Sequence, residues 1–143
     1  MNVIPKGNIF EDFILEFEIE YTRKPPGENP HTCVFFRRQD SKNFYFICFS
    51  HAGNYKFART LDGKYEEIVG WNSGGPLRVG NEINLIKIIA NNESYIFEAN
   101  GREIDRFEDG FFMEPGEIVI GIYAHYESKL LAEIDNLVIT EYK

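Results

Sequence analysis

The chain has 143 residues, 43% hydrophobic and 15% aromatic, and its 15 Lys and Arg stand against 23 Asp and Glu for a formal charge of −8. That length suits one domain burying roughly 68% of its unfolded surface, so a core forms without structural metal or disulfide staples. The composition excludes a disordered chain, no run reaches the roughly 18 apolar residues of a membrane span, and the acidic balance disfavours nucleic acid and anionic lipid as partners.

The polar start MNVIPKGNIFED has no signal-peptide core, which leaves two expectations: an intracellular protein, or a domain cut from a longer secreted chain. From Phe13 to Tyr21 the odd positions are apolar and Glu16, Glu18 and Glu20 occupy the even ones, the signature of a strand with one buried and one wet face. Paired carboxylates about 5 Å apart can cleave glycosides. A solvated strand face explains these three completely, and no catalysis is expected from them.

After the turn Pro25-Pro26-Gly27 come two runs, Thr32–Arg38 and Asn43–Ser50, that are apolar on both faces. One face must meet an opposing sheet. The other is covered by loops or lines a groove. Val34 and Phe36 share one side, while Cys33, Phe35 and Arg37 share the other with Phe44 and Phe46 of the next run. Arg37 is thus a candidate fork for sugar hydroxyls or a carboxylate, with a structural arginine paired to an acid as the competing reading. A hairpin that pairs Arg37 with Phe44 sets Cys33 opposite Cys48. A bridge is geometrically allowed there, but without a signal peptide two thiols packed as small hydrophobes are expected.

Further strands are expected at Tyr55–Thr60 and Tyr65–Trp71. Trp71, the one tryptophan, adjoins the loop Asn72-Ser73-Gly74-Gly75-Pro76, with Arg78 just beyond. A rim tryptophan is a stacking platform for a sugar ring, or else it closes the core. The glycine pair lacks the lysine and helix of a phosphate loop. Ile83–Ala90, Ser94–Ala99 and Glu103–Phe107 follow, with Asn100-Gly101 as a two-residue hairpin turn. In Glu117–Tyr126 the residues Gly121, Tyr123 and His125 share a face, and Leu130–Tyr142 closes the chain. His31, His51 and His125 have no metal or triad spacing and read as surface or loop histidines, His125 being the candidate ligand contact. About ten short strands without a helical stripe mean one all-β domain, residues 1–143, built as a sandwich or barrel.

Several phrases occur in a telling order: Glu11-Asp12-Phe13, Phe36-Arg37-Arg38-Gln39-Asp40, Asn43-Phe44-Tyr45, Asp62-Gly63-Lys64, Asn100-Gly101-Arg102, Ile120-Gly121-Ile122-Tyr123 and Ile134-Asp135-Asn136-Leu137-Val138. Together they resemble the concanavalin A-like lectin/glucanase superfamily, and within it the 3-keto-disaccharide-hydrolase-like and laminin-G-like domains. The resemblance implies a two-sheet antiparallel jelly-roll sandwich with one concave sheet, adjacent first and last strands, and sugars as ligands. It also suggests a structural calcium near Asp135, completed by carbonyls and Glu11 or Asp12. An Asp side chain bonded to nearby backbone amides is the simpler reading.

The expectation is a non-catalytic, lectin-like module beside other domains of a larger glycan-handling or surface protein, binding a neutral glycan through Arg37, Trp71, Arg78, Tyr123 and His125. A glycoside hydrolase domain and a structural or adhesion sandwich are the alternatives. Fold alone does not decide among them.

Overall fold

The computed structural model describes Ile4, residues 7–22, Lys24, and residues 26–124 and 131–141. Ten strands follow in chain order: β1 (Phe13–Tyr21), β2 (His31–Asp40), β3 (Asn43–Ser50), β4 (Asn54–Leu61), β5 (Lys64–Ser73), β6 (Ile83–Asn91), β7 (Ser94–Ala99), β8 (Arg102–Glu108), β9 (Glu117–Tyr123) and β10 (Ala132–Glu141). No helix occurs among the described residues. The strands form two antiparallel five-stranded sheets, ordered β10-β1-β6-β7-β8 and β5-β4-β3-β2-β9, packed as a jelly-roll sandwich. The first and last strands are neighbours, as the resemblance implies.

Alternation decides which side chains meet between the sheets. Phe13, Leu15, Phe17, Ile19 and Tyr21 of β1 are buried against Val34, Phe36, Tyr45, Ile47, Phe49 and Phe57 of the other sheet. Tyrosines in this layer are satisfied: the Tyr21 hydroxyl bonds the Thr32 hydroxyl at 2.7 Å, and burial drives its pKa upward. The Tyr45 hydroxyl donates to Asp109 and accepts the backbone N–H of Phe111 and Phe112, which ties the loop after β8 to the mouth of the sandwich.

The period of two breaks at one functionally important place. Between Phe36 and Asp40 the β2–β3 register shifts, and Arg37 takes a left-handed φ of 47°. Its side chain therefore leaves the outer face and enters the space between the sheets, where it is 1% exposed. There Nε donates to the Tyr95 hydroxyl at 2.8 Å, and Nη2 donates to Asp12 Oδ1 at 3.0 Å and to the Asn92 carbonyl at 2.9 Å. Arg37 is a structural arginine. The ligand-binding role expected for it is corrected, because an irregular residue in β2 reverses the face that alternation assigns.

The hairpin register itself is as expected, with Cys33 directly opposite Cys48. The two form a disulfide, Cα atoms 4.1 Å apart, so the expectation of free thiols is also corrected. The reason is local: two side chains on one face, directly opposed and packed among Phe46 and Ala58, bring the sulfurs together. Thiol titration of denatured, unreduced protein should find no free thiol; a count of two would refute the bridge. The loop closed by a sequence separation of 15 constrains the unfolded chain. Replacing both cysteines by alanine should cost about 3 kcal/mol in urea unfolding.

Candidate functional site

The outer face of the sheet β5-β4-β3-β2-β9 is apolar in the places where an outer face is normally wet. Register arranges it in rows running across the strands. Tyr123 and His31 form the first, and Gly121, Cys33, Cys48 and Lys56 the second. Val119, Phe35, Phe46, Ala58 and Glu67 make the third. Phe44, Thr60 and Tyr65 end it, without a β2 neighbour because Arg37 has left the face. The disulfide is the floor.

The rings contact one another. Phe35 meets Phe44 edge-on with centroids 5.3 Å apart and lies 5.6 Å from Phe46. His31 stacks on Tyr123 at 5.7 Å and meets Trp71 edge-on at 6.1 Å. Trp71 and Tyr65 are each 48% exposed and Tyr123 is 43% exposed. Such half-exposed rings on a rigid sheet offer flat apolar faces at little cost in conformational entropy. Gly121 makes room for this: a Cβ there would sit 2.6 Å from the Tyr123 ring, which folds back over the glycine.

Polar chemistry on the face is sparse. Lys56 Nζ lies 5.1 Å from the Trp71 ring centre, 5.2 Å from Tyr65 and 5.8 Å from Phe46. Burial above all holds the His31 imidazole below its ordinary pKa; the hydrogen bond with the Asn29 backbone opposes this and the Lys56 ammonium adds to it. Burial thus favours the neutral imidazole at His31. Burial likewise raises the Tyr123 hydroxyl above its usual value. At the far end Arg38 pairs with Glu117 at 2.8 Å.

Of the residues singled out in the sequence, Trp71 and Tyr123 come together here, joined through His31. Arg78 is exposed, and its guanidinium and backbone N–H are engaged by Ile83 and Asn84 at the start of β6 rather than by the aromatic face. His125 lies outside the described residues. Asp135 Oδ1 accepts the backbone N–H of Asn136 at 2.8 Å. A shared calcium with Glu11 or Asp12 is not supported, because Asp135 faces Glu18, about 20 Å along β1 from Asp12. Among the described residues no cluster of His, Cys, Asp and Glu could hold a metal ion.

His31, Lys56 and Tyr65 were not singled out as ligand contacts. Their signal was phase: each sits in register with the aromatic or cysteine positions already assigned to the outer face.

The opposite outer face is different in kind. Glu16, Glu18 and Glu20 lie there with Glu133 and Asp135 as cross-strand neighbours, and Glu16 pairs with Lys87 at 3.6 Å. Glu18, Glu20, Glu133 and Asp135 line a shallow groove with Ile19 and Ile83.

No family model matches the chain, and no curated protein sequence is similar to it. Solved structures are similar. The carbohydrate-binding module CBM66 from Bacillus subtilis superposes with a TM-score of 0.72 at 20% identity, covering 95% of this chain and 78% of that one. Chicken galectin 2 gives 0.67 at 4% identity, covering 92% and 93%. A glycosidic hydrolase gives 0.62 at 11% identity, covering 90% and 63%. The likeness is one of fold. These neighbours are jelly-roll sandwiches like this chain, whereas the narrower kinship with 3-keto-disaccharide-hydrolase-like and laminin-G-like domains rests on the sequence phrases alone.

Proposed function

We propose that the aromatic outer face of the sheet β5-β4-β3-β2-β9 binds carbohydrate without cleaving it. The observation that carries this reading is the group of half-exposed rings, Trp71, Tyr65 and Tyr123, set on a sheet stapled by a disulfide. Sugar rings present C–H faces that pack on aromatic planes, and water is readily displaced from such planes. The neighbours named for carbohydrate binding support the same reading, since this fold hosts such surfaces. The charge of −8 favours a largely neutral chain as the body of the ligand.

A glycan array followed by titration calorimetry tests the proposal. Trp71→Ala should weaken binding of an array hit by about 2 kcal/mol, roughly thirtyfold in Kd, with the melting temperature unchanged. Equal affinity in the variant, or no glycan retained at all, would defeat it. Reducing-sugar release from a polysaccharide panel would favour the hydrolase alternative, and a mass that grows with concentration would favour an adhesion surface.

A further inference from the structure

Lys56 is out of keeping with its surroundings. It stands on β4 in the interior of the sheet, beside the disulfide, and is half-buried among three rings. An ammonium has three donors. Its one hydrogen bond is a long 3.5 Å contact to the Tyr65 hydroxyl, and no carboxylate lies within ion-pair reach among the described residues. The other strand-borne cations that are buried or half-buried behave differently: Arg37, Arg38, Arg59 and Lys87 each hold an acid, while Lys64 and Arg102, unpaired among the described residues, are exposed at the starts of their strands. The rings fix the ammonium by cation–π attraction, yet they occupy none of its donors. A positive group held in place, partly desolvated and still able to donate attracts an anion more strongly than a lysine in open water does.

The distribution of charge points the same way. The acid-rich outer face belongs to the other sheet, so two layers of side chains and the core separate it from Lys56. That distance exceeds the Debye length of roughly 8 Å at physiological ionic strength. With burial favouring the neutral imidazole of His31, Lys56 is the one positive charge on the aromatic face that is not already paired among the described residues, and Glu67, at the edge strand β5 in the next row, is exposed to solvent. One charge suits one anionic group. A polyanion would meet the net −8 of the whole chain.

We infer that Lys56 is the socket for a single anionic substituent, a carboxylate or a sulfate ester, on one sugar of an otherwise neutral glycan. This rests on the carbohydrate reading above and adds the class of sugar. The neutral glycan expected from composition is thereby refined to a neutral chain bearing one acidic unit.

The test uses an array of matched oligosaccharides that differ by a single group: lactose-series chains with and without a terminal sialic acid, xylan-series chains with and without one glucuronic acid, and galactan-series chains with and without one sulfate. The acidic member of at least one set should bind about tenfold more tightly than its neutral partner. Lys56→Gln should bring that ratio to about one while neutral binding persists, and Lys56→Arg should keep it. Which set responds distinguishes carboxylate from sulfate. Equal binding of acidic and neutral partners by the wild type, or a ratio unchanged in Lys56→Gln, overturns the inference and leaves the carbohydrate reading intact. Failure of every glycan to bind overturns both. Melting curves of the two variants establish that they are folded.

Discussion

Asp12→Ala is expected to destabilise the protein by about 3–5 kcal/mol, because it strands a buried guanidinium. Asp12 is the carboxylate that faces Arg37, and the arginine is 1% exposed. The same Oδ1 also accepts the backbone N–H of Asn92 at 2.8 Å. One substitution therefore removes the counter-charge of Arg37 and the acceptor of the β6–β7 turn. Arg37 has no spare capacity to absorb the loss: Nη1 already lacks a protein acceptor among the described residues. The asymmetry between breaking a pair and removing it supplies the control. Asp12→Ala combined with Arg37→Met should be less destabilised than Asp12→Ala alone, since no charge is left unpaired. Urea unfolding with shared slopes measures both. A loss below about 1 kcal/mol for Asp12→Ala would show that the pair does not hold these elements together.

Gly116→Ala should cost about 3 kcal/mol for a different reason, steric crowding between backbones. A Cβ at this position would lie 2.5 Å from the Arg38 nitrogen and 2.8 Å from the Arg37 Cα, and still nearer the Arg37 carbonyl carbon. Gly116 is pinned on its other side by a reciprocal pair of hydrogen bonds with Phe10, both 3.0 Å. Neither neighbour is a side chain that can swing aside. Relief requires moving the irregular stretch of β2 or losing the bridge to Phe10. Gly121→Ala is the informative comparison, since the atoms its Cβ meets belong to the exposed Tyr123 side chain. That ring can rotate away, so stability should change little by comparison. If Gly116→Ala and Gly121→Ala melt alike, backbone crowding is not what selects glycine at 116.

The pattern of apolar residues carried most of the fold. Phe13–Tyr21, Asn43–Ser50 and Ser94–Ala99 are strands with the bounds that alternation predicts, because each has one face in the core and a turn at either end. Even the cysteine register followed from a hairpin argument. What failed was any inference that carried alternation through β2 beyond Phe36. Nothing in Arg37-Arg38-Gln39-Asp40 marks an irregularity, since the left-handed residue is an arginine and not a glycine. The partners that justify it, Asp12, Asn92 and Tyr95, are distant in sequence. The cysteines differ from expectation for the opposite reason: the register that sets Cys33 opposite Cys48 favours a bridge, and the expected cellular compartment has no bearing on that geometry. Trp71 was legible as an exposed ring, whereas Lys56 was not, because its importance lies in three rings brought over it by the strands on either side, β3 and β5.

The pairing of β1 with β10 has a mechanical consequence. Phe13 faces Glu141, so the first residue of one strand and the last of the other lie side by side. A pull applied across these two points loads one rung of the ladder at a time and peels the strands apart like a zipper, where a sheared pair would resist with all its rungs at once. Once β1 and β10 are gone the tension passes to β2 and β9, antiparallel neighbours in the other sheet. Their leading residues also face each other, and they are His31 and Tyr123. Under tension the aromatic face would open at its own edge, with the stacked pair parting first and the disulfide-pinned hairpin behind it still closed.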